Sequence, residues 1–331
     1  MKNERRSLQS VIADPIRGFL SHHRALGKRF LTEERALNLF DYYVAEQKVE
    51  SLTAITPSLL ENFLSSRSRK STKSYNHLLG VLRRWFDWLV AQERLPQSPL
   101  QTKPRRITGV RPPFLFDQTQ ARALLAVAAQ LPDNNRGRQR GLIYPMIFGL
   151  LYGLGLRVSE AARLRLQDID WERGVLRILE TKFAKSRLVP FGPKMGVRLK
   201  EYLQKRELQV GRLEPDDPLF SFGPEKSCAI NPGTVSQTFH QLLPKLGLSL
   251  ASGVAAPRLH CLRHSFAVGT LLRWYRQGIN PQDRLLHLST FMGHTHPTST
   301  AVYLTITAEL LQEANTRFHR LASPLLKEVA S

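Results

Sequence analysis

Cysteines and long apolar runs are scarce in this sequence. Only Cys228 and Cys261 occur among 331 residues, too few for a disulfide framework or for a four-cysteine zinc site. Two cysteines fit a reducing compartment, so we expect a cytoplasmic protein. No apolar run reaches the roughly 18 residues that a membrane-spanning helix requires, and we expect no membrane partner.

Acidic residues are scarce relative to basic ones. The chain has 27 Asp and Glu against 48 Lys and Arg, which gives a formal net charge of +21. The excess is shared, with +10 in residues 1–115 and +11 in the remainder. A field of this sign favours a polyanion as the partner of both halves. Charge alone fits a basic nucleic-acid-binding protein without chemistry as well as it fits an enzyme.

Patterns for binding nucleotides and metals are also missing. No Gly-x4-Gly-Lys-Ser/Thr sequence for cradling phosphates occurs, and no acidic cluster suits two Mg²⁺ ions. His294 and His296 are two residues apart without a third ligand nearby, which is a weak metal signal. We therefore expect no metal, no ATP and no other cofactor.

Apolar residues recur at three- and four-residue spacing from residue 8 to about residue 100. This period predicts helices, and no convincing strand occurs among them. Residues 1–102 are therefore predicted to form a small helical bundle. Residues 103–115 are rich in proline and basic residues, which predicts a linker. That linker is either a solvated loop or a basic strap on a phosphate backbone.

Residues 116–331 mix helical and alternating patterns. Helices are predicted from about Asp117 to Gln130 and from about Leu142 to Tyr152, and strands within residues 167–192. The remainder is predicted to be mostly helical. The predicted fold class is mostly α with one small antiparallel sheet: an N-terminal helical domain followed by an α+β domain.

Four short clusters within residues 150–305 contain side chains suited to phosphate chemistry. Arg157 follows a Gly-Leu-Gly turn and starts a helix whose first turn contains Glu160, where a carboxylate suits the helix dipole. Lys182 lies between two predicted strands and can reach into a groove as a proton donor. His260 and Arg263 are three apart and share a helix face. Each cluster by itself is more typical of an ordinary surface or core position.

The fourth cluster begins with Gly293-His294 after an apolar helical segment, and Tyr303 follows nine residues later. The order Arg, Lys, His-x-x-Arg, Gly-His and Tyr, with these flanks, closely resembles the tyrosine recombinase family of phage integrases, Xer recombinases and integron integrases. The resemblance covers roughly residues 116–305. The preceding bundle is similar to the family's core-binding, SAM-like DNA-binding domain only in position, size and helical class.

The resemblance implies a DNA strand transferase that cuts and rejoins DNA through a 3′-phosphotyrosine intermediate. Integration or transposition of a mobile element is the favoured role. The alternatives are chromosome-dimer resolution, relaxation of DNA by a type IB topoisomerase and DNA binding on an inactive scaffold. Residues 116–331 would then form the catalytic domain with a C-terminal tail helix.

The resemblance also implies roles at the phosphate. Arg157 and Arg263 would clamp its non-bridging oxygens, because guanidinium forks neutralise charge that builds in the transition state. His294 would donate to a phosphate oxygen. Tyr303 would be the nucleophile, although a phenol with a pKa of about 10 needs a base or cationic surroundings.

Proton transfer and support are implied for the remaining positions. Lys182 would protonate the departing 5′ oxygen, and Lys185 is a possible substitute because Phe183-Ala184 departs from the family's usual hairpin. His260 would be the general acid/base. Glu160 would support the turn that carries Arg157.

The partners that we expect are duplex DNA with inverted-repeat core sites and three further copies of this chain in a tetramer. An amphipathic segment at residues 308–314 would dock on a neighbouring subunit, or else on its own domain. We expect a group of basic residues to contact the DNA backbone. These are Arg67, Arg69, Lys70, Lys73, Arg83, Arg84, Lys103, Arg105 and Arg106.

Overall fold

The chain divides into two compact units, Met1–Val110 and Arg111–Ser331. The predicted division at residues 102 and 115 is finer and stays a prediction. The computed structural model describes residues 8–66, 71–109, 111–135, 137–179, 186–222, 228–294 and 296–305, with Gln312 and Thr316.

All regular secondary structure that is described in the first unit is helical, either α or 3₁₀. Aromatic side chains of different helices meet in its core: the ring of Phe40 lies 5.0 Å from that of Phe63 and 5.9 Å from that of Trp85, between centroids. All three are buried, so the helices that carry them turn apolar side chains inward. The α-helices of this unit are α1 (Ala13–Ala25), α2 (Leu31–Glu46), α3 (Pro57–Ser66) and α4 (Thr72–Ala91).

An extended segment after α4 is fixed to that helix by side chains. Asn76 Nδ2 donates to the carbonyl of Arg105 at 2.7 Å, and the Arg105 N–H donates to Asn76 Oδ1 at 2.9 Å. The Arg105 guanidinium lies 3.7 Å from the centre of the Tyr75 ring. Arg83 Nη2 donates to the carbonyl of Thr102 at 2.9 Å. Part of the predicted linker is therefore held in one register on α4.

The second unit is built around one central helix, α6 (Arg140–Gly153), whose Ile147, Phe148 and Leu150 have no exposed surface. A helix that is apolar on all sides must be covered on all sides, because burial of apolar surface drives packing. The helices of this unit are α5 (Gln118–Ala129), α6 (Arg140–Gly153), α7 (Val158–Ala161), α8 (Pro193–Val210), α9 (Pro232–Leu242), α10 (Cys261–Arg276), α11 (Leu285–Met292) and α12 (Thr298–Ala301).

The second unit also contains a three-stranded antiparallel sheet. Leu176 of the central strand pairs with Ile169 on one side and with Val189 on the other, and all three side chains are buried. The predicted fold class, mostly α with a small antiparallel sheet, is confirmed. The strands, in their order across the sheet, are β1 (Ile169–Asp170), β2 (Val175–Ile178) and β3 (Arg187–Pro190).

Both cysteines are free thiols: Cys228 is exposed, and Cys261 is buried at the start of α10. In the described ranges, no three His, Cys, Asp or Glu side chains are grouped so that they could hold a metal ion. Among the same residues, no helix is both long and apolar enough to cross a membrane.

Candidate active site

A glycine turn places Arg157 at the start of α7. Gly155 has a φ of +61°, a conformation that residues with a Cβ rarely adopt, and an added Cβ would lie 2.4 Å from Cδ1 of Phe266. Arg157 then begins the short helix, and its side chain turns inward: its Nη2 donates to the carbonyl of Gly293 at 2.8 Å. The turn after α6 is thus tied to the turn after α11.

Glu160 anchors this arrangement. Its Oε2 accepts from the Arg157 N–H at 2.9 Å and its Oε1 from Arg157 Nη1 at 2.6 Å. Arg187, the first residue of β3, donates from Nη1 to Oε1 at 3.0 Å and from Nη2 to Oε2 at 2.9 Å. Burial acts to raise the pKa of Glu160, but hydrogen bonds and charge from Arg187, together with bonds from Arg157, lower it to about 2.

Arg263 lies in the first turn of α10 and is 1% exposed. Its Nη1 donates to the carbonyl of Gly155 at 2.5 Å, and its Nη2 donates to the carbonyl of Met292 at 2.6 Å. Its Nε is buried without a hydrogen-bond partner among the described residues. Burial, followed by the charge of Arg157, lowers the pKa of Arg263 to about 9, so the guanidinium remains charged at pH 7. A buried cation with an unused N–H can receive an anionic ligand.

Tyr303 lies beside two histidines and is 3% exposed. Its hydroxyl is 2.8 Å from Nδ1 of His264. The ring of His294 is stacked against the phenol at 6.4 Å between centroids, and His294 Nδ1 is 2.6 Å from Oγ1 of Thr300. His260 contacts His264 edge-on, with centroids 4.7 Å apart.

Electrostatic conditions in this group keep its imidazoles neutral at pH 7. The pKa values of His260 and His294 are each lowered to about 4. Loss of water contact is the largest cause of this shift, and nearby positive charge adds to it. The side chain of His260 retains surface that is exposed to solvent, whereas His294 is half-buried. Burial also raises the pKa of the Tyr303 phenol, although Arg263 and Arg157 act to lower it. The guanidiniums therefore supply the positive charge of the site.

The structure brings six of the predicted residues into one connected group around Tyr303. The predicted proton donor Lys182, and its possible substitute Lys185, lie outside the described residues. The six residues are Arg157, Glu160, His260, Arg263, His294 and Tyr303.

The predicted DNA-backbone contacts fall into three groups. Arg67, Arg69 and Lys70 lie outside the described residues. Three cations contact protein atoms: Arg83 and Arg105 have the bonds given above, and Arg84 Nη2 is 3.4 Å from Oε1 of Glu33. The third group consists of exposed cations for which the described residues record no side-chain hydrogen bond or ion pair, namely Lys73, Lys103 and Arg106.

The sequence alone indicated no role for three residues that the structure places in the site. His264 follows Arg263 and is one turn from His260, so its place on the same face of α10 could have been predicted. Arg187 is typical of a charged hairpin end, and nothing local indicates its contact with Glu160. Thr300 lies in the short helix α12, three residues before Tyr303. Its contact with His294 depends on how α12 packs.

Family models match both parts of this chain. Residues 115–309 match the model described as the phage integrase family, which is more than half of the chain. The chain belongs to the phage integrase family. Residues 31–93 match the model described as the phage integrase N-terminal SAM-like domain. The predicted family and enzyme class, a DNA strand transferase of the tyrosine recombinase type, are confirmed.

Two related recombinases are similar in sequence to this chain over most of its length. The integrase/recombinase y4rB of Sinorhizobium fredii is 32% identical over 316 residues, which cover 94% of this chain and 98% of that protein. The tyrosine recombinase XerA of Thermococcus onnurineus is 27% identical over 280 residues, which cover 84% of this chain and 87% of that protein.

Solved structures resemble the integrase in fold. The Tn1549 transposon integrase in complex with transposon right end DNA has a TM-score of 0.66 at 16% identity, covering 95% of this chain and 100% of that chain. The XerH recombinase bound to palindromic difH substrate has a TM-score of 0.61 at 21% identity, covering 87% and 79% respectively. At such identities the likeness establishes the fold alone.

Replacement of Gly155 by Ala is expected to lower the free energy of unfolding by roughly 2–6 kcal/mol, since a strained left-handed residue and an overpacked Cβ each cost about 1–3 kcal/mol. Phe266 cannot give way freely because it is stacked on Phe291, with ring centroids 5.4 Å apart. Urea unfolding measures the change. Gly149→Ala in α6 is the control, because a Cβ there meets nothing within 4 Å. Equal losses in both variants would contradict the strain argument.

Proposed function

We propose that this protein is a site-specific recombinase that cleaves and rejoins DNA through a 3′-phosphotyrosine at Tyr303. Its favoured role is integration or transposition of a mobile element. The observation that carries the proposal is the convergence of a phenol with two charged guanidiniums and three neutral imidazoles. Such a set suits attack on a phosphodiester, whose negative charge otherwise resists an anionic nucleophile.

The chemistry follows from what each group can do. Arg157 and Arg263 neutralise charge that develops on the non-bridging oxygens, and removal of one such donor typically costs about 10²–10³ in rate. His294 donates to a phosphate oxygen, and His260 serves as general acid/base. Lys182 protonates the departing 5′ oxygen. The covalent intermediate keeps the energy of the broken bond, so rejoining needs no ATP.

DNA as the partner is supported by charge and by the related structures. The net charge of +21 matches a polyanion. The Tn1549 integrase structure is a complex with transposon right end DNA, and the XerH structure is a complex with a palindromic difH substrate. We propose duplex DNA with inverted-repeat core sites as the substrate and a homotetramer as the active assembly. The docking of residues 308–314 on a neighbour, and a cytoplasmic location, stay predictions.

Nicked duplexes that carry the sequences flanking the gene test the proposal. Loss of a short strand beyond the nick traps the covalent intermediate, which is detected as a slowly migrating band on a denaturing gel. Mass spectrometry of the digested adduct is expected to place the nucleotide on the peptide that contains Tyr303. Cleavage only when two specific sites are paired indicates a recombinase, whereas relaxation of any supercoiled plasmid indicates a topoisomerase. Absence of an adduct on every flanking sequence would refute the proposal.

Lys73→Gln is expected to weaken DNA binding equally on all sequences and to reduce the slope of log affinity against log salt by about 1, because one phosphate contact is lost. Lys73 is exposed in the first turn of α4. Titrations at several salt concentrations measure the slope. Arg17→Gln is the matched control, because Arg17 is paired with Asp14 on α1. An unchanged slope in Lys73→Gln would show that Lys73 does not contact a phosphate.

A further inference from the structure

The Tyr303 hydroxyl has a defined hydrogen-bond partner in this structure. It lies 2.8 Å from Nδ1 of His264, a distance suited to direct proton transfer. The other two histidines of the site are turned to different partners: His294 Nδ1 bonds Thr300, and the ring of His260 lies perpendicular to that of His264. His264 is therefore the imidazole that contacts the reacting atom of the proposed nucleophile.

The protonation states set the direction of this hydrogen bond. Burial, followed by the charge of Arg263, lowers the pKa of His264, and burial raises that of Tyr303. At pH 7 the phenol therefore holds its proton and the imidazole is neutral. Nδ1 then accepts the bond and Nε2 carries the ring proton.

We propose that His264 is a further catalytic residue, the base that takes the phenolic proton of Tyr303 during strand cleavage. This assigns that one step to His264 and not to His260, which among the described residues forms no hydrogen bond with the phenol and lies beside His264. The inference rests on the function proposed above. In this step the O–H bond of Tyr303 breaks, and the proton goes to His264 Nδ1. The phenolic oxygen bonds to phosphorus as the bond to the 5′ oxygen breaks, and the proposed donor Lys182 protonates that oxygen. Rejoining reverses each transfer, and nothing is oxidised or reduced.

The surrounding charge couples this base to substrate binding. Without DNA, burial and the charge of Arg263, one of the two guanidiniums of the site, disfavour an imidazolium at His264. A phosphodiester held by those guanidiniums brings negative charge close to the same ring, which favours the protonated form. His264 therefore becomes a stronger base when a scissile phosphate is in place, and Tyr303 stays protonated when the site is empty.

Nicked substrates with either oxygen or sulfur at the 5′ bridging position test the proposal on the full-length chain. A thiol has a pKa near 8.5, so a sulfur leaving group departs without a proton donor. His264→Asn keeps an acceptor near the position of Nδ1 but removes its basicity. We expect this variant to cleave both substrates about 10²–10⁴-fold more slowly than the unaltered protein, whereas Lys182→Ala recovers on the sulfur substrate alone.

Two further measurements separate base chemistry from structural effects. Added imidazole is expected to restore cleavage to His264→Ala in proportion to its concentration, which a change of folding would not allow. His287→Asn, at an exposed position on α11, is the control and should cleave at the unaltered rate.

Each other outcome is decisive. Cleavage by His264→Asn at the unaltered rate, or faster, overturns the proposal, and faster cleavage identifies His264 as a restraint on Tyr303. Recovery of His264→Asn on the sulfur substrate overturns it too, since the residue would then act on the leaving group. Absence of a covalent adduct from the unaltered protein overturns both this proposal and the function on which it rests.

Discussion

Tyr303→Phe is expected to abolish the covalent protein–DNA adduct completely while leaving DNA affinity unchanged. The substitution removes one oxygen from a ring that is otherwise buried among the same neighbours, so the packing of the site is retained. No other group can form a phosphotyrosine at this position. The adduct is measured on denaturing gels with nicked duplexes, and affinity is measured separately by titration.

The matched control for this loss is Tyr152→Phe. Tyr152 is half-buried near the end of α6, and removing its hydroxyl should leave adduct formation intact. An adduct that persists in Tyr303→Phe would eliminate Tyr303 as the nucleophile, and the proposed function would have to be assigned to a different residue.

Glu160→Gln is expected to lower the free energy of unfolding by about 3–5 kcal/mol, the cost of breaking a buried ion pair. The carboxylate accepts four hydrogen bonds from Arg157 and Arg187. A neutral amide accepts at one atom only, and its NH₂ group is directed at positively charged donors. Urea unfolding measures the loss. Asp216→Asn is the control, because its ion pair with Arg165 is exposed and long at 3.4 Å and should contribute less than about 1 kcal/mol.

The same substitution should change how stability depends on pH. The pKa of Glu160 is depressed to about 2 from an ordinary value of 4.5, so its contribution is complete above about pH 4.5 and is lost as pH falls towards 2. That contribution is about 3 kcal/mol. Glu160→Gln should lose some free energy of unfolding between pH 5 and pH 2 through its other carboxyl groups. The unaltered protein should lose about 3 kcal/mol more than this variant over the same range. Parallel stability curves for the two proteins would show that the carboxylate is not preferentially stabilised in the folded state.

Cleavage activity should also fall in Glu160→Gln. Arg157 is held by both Glu160 and the carbonyl of Gly293, so loss of the carboxylate frees the guanidinium from one of its two anchors. Because charge stabilisation depends on preorganised donors, a loosely held guanidinium is a poorer one. Single-turnover cleavage with DNA in excess separates this effect from weaker binding.

Helices were predictable from the sequence because their spacing is local. The apolar period places α4 between about Ser71 and Gln92, and the structure has Thr72–Ala91. Strand β1 was less predictable. The alternation suggests residues 167–170, but the backbone N–H of Arg165 donates to Oδ2 of Asp168 at 2.9 Å and closes a 3₁₀ turn. A side chain that competes for backbone donors overrides an alternating pattern.

Basic residues were the least predictable part of the DNA interface. Arg84 and Lys73 are both exposed cations on α4, and nothing in their local sequence separates them. Only the packing of α2 brings Glu33 to Arg84, whereas Lys73 forms no ion pair with any residue that the structure describes. Arg105 similarly lies on Tyr75. Whether a cation is available to a phosphate depends on partners that are distant in the chain.

The sequence by itself determined the fold class, the family and the residue types of the site, because helical period and motif order are written along the chain. Tertiary structure decided which of those groups touch. Tyr303 meets His264 across 39 positions and Arg157 meets Gly293 across 136. The physical reason is that hydrogen bonds and charge act only over a few ångströms, and packing of the core alone brings such distant positions within that range.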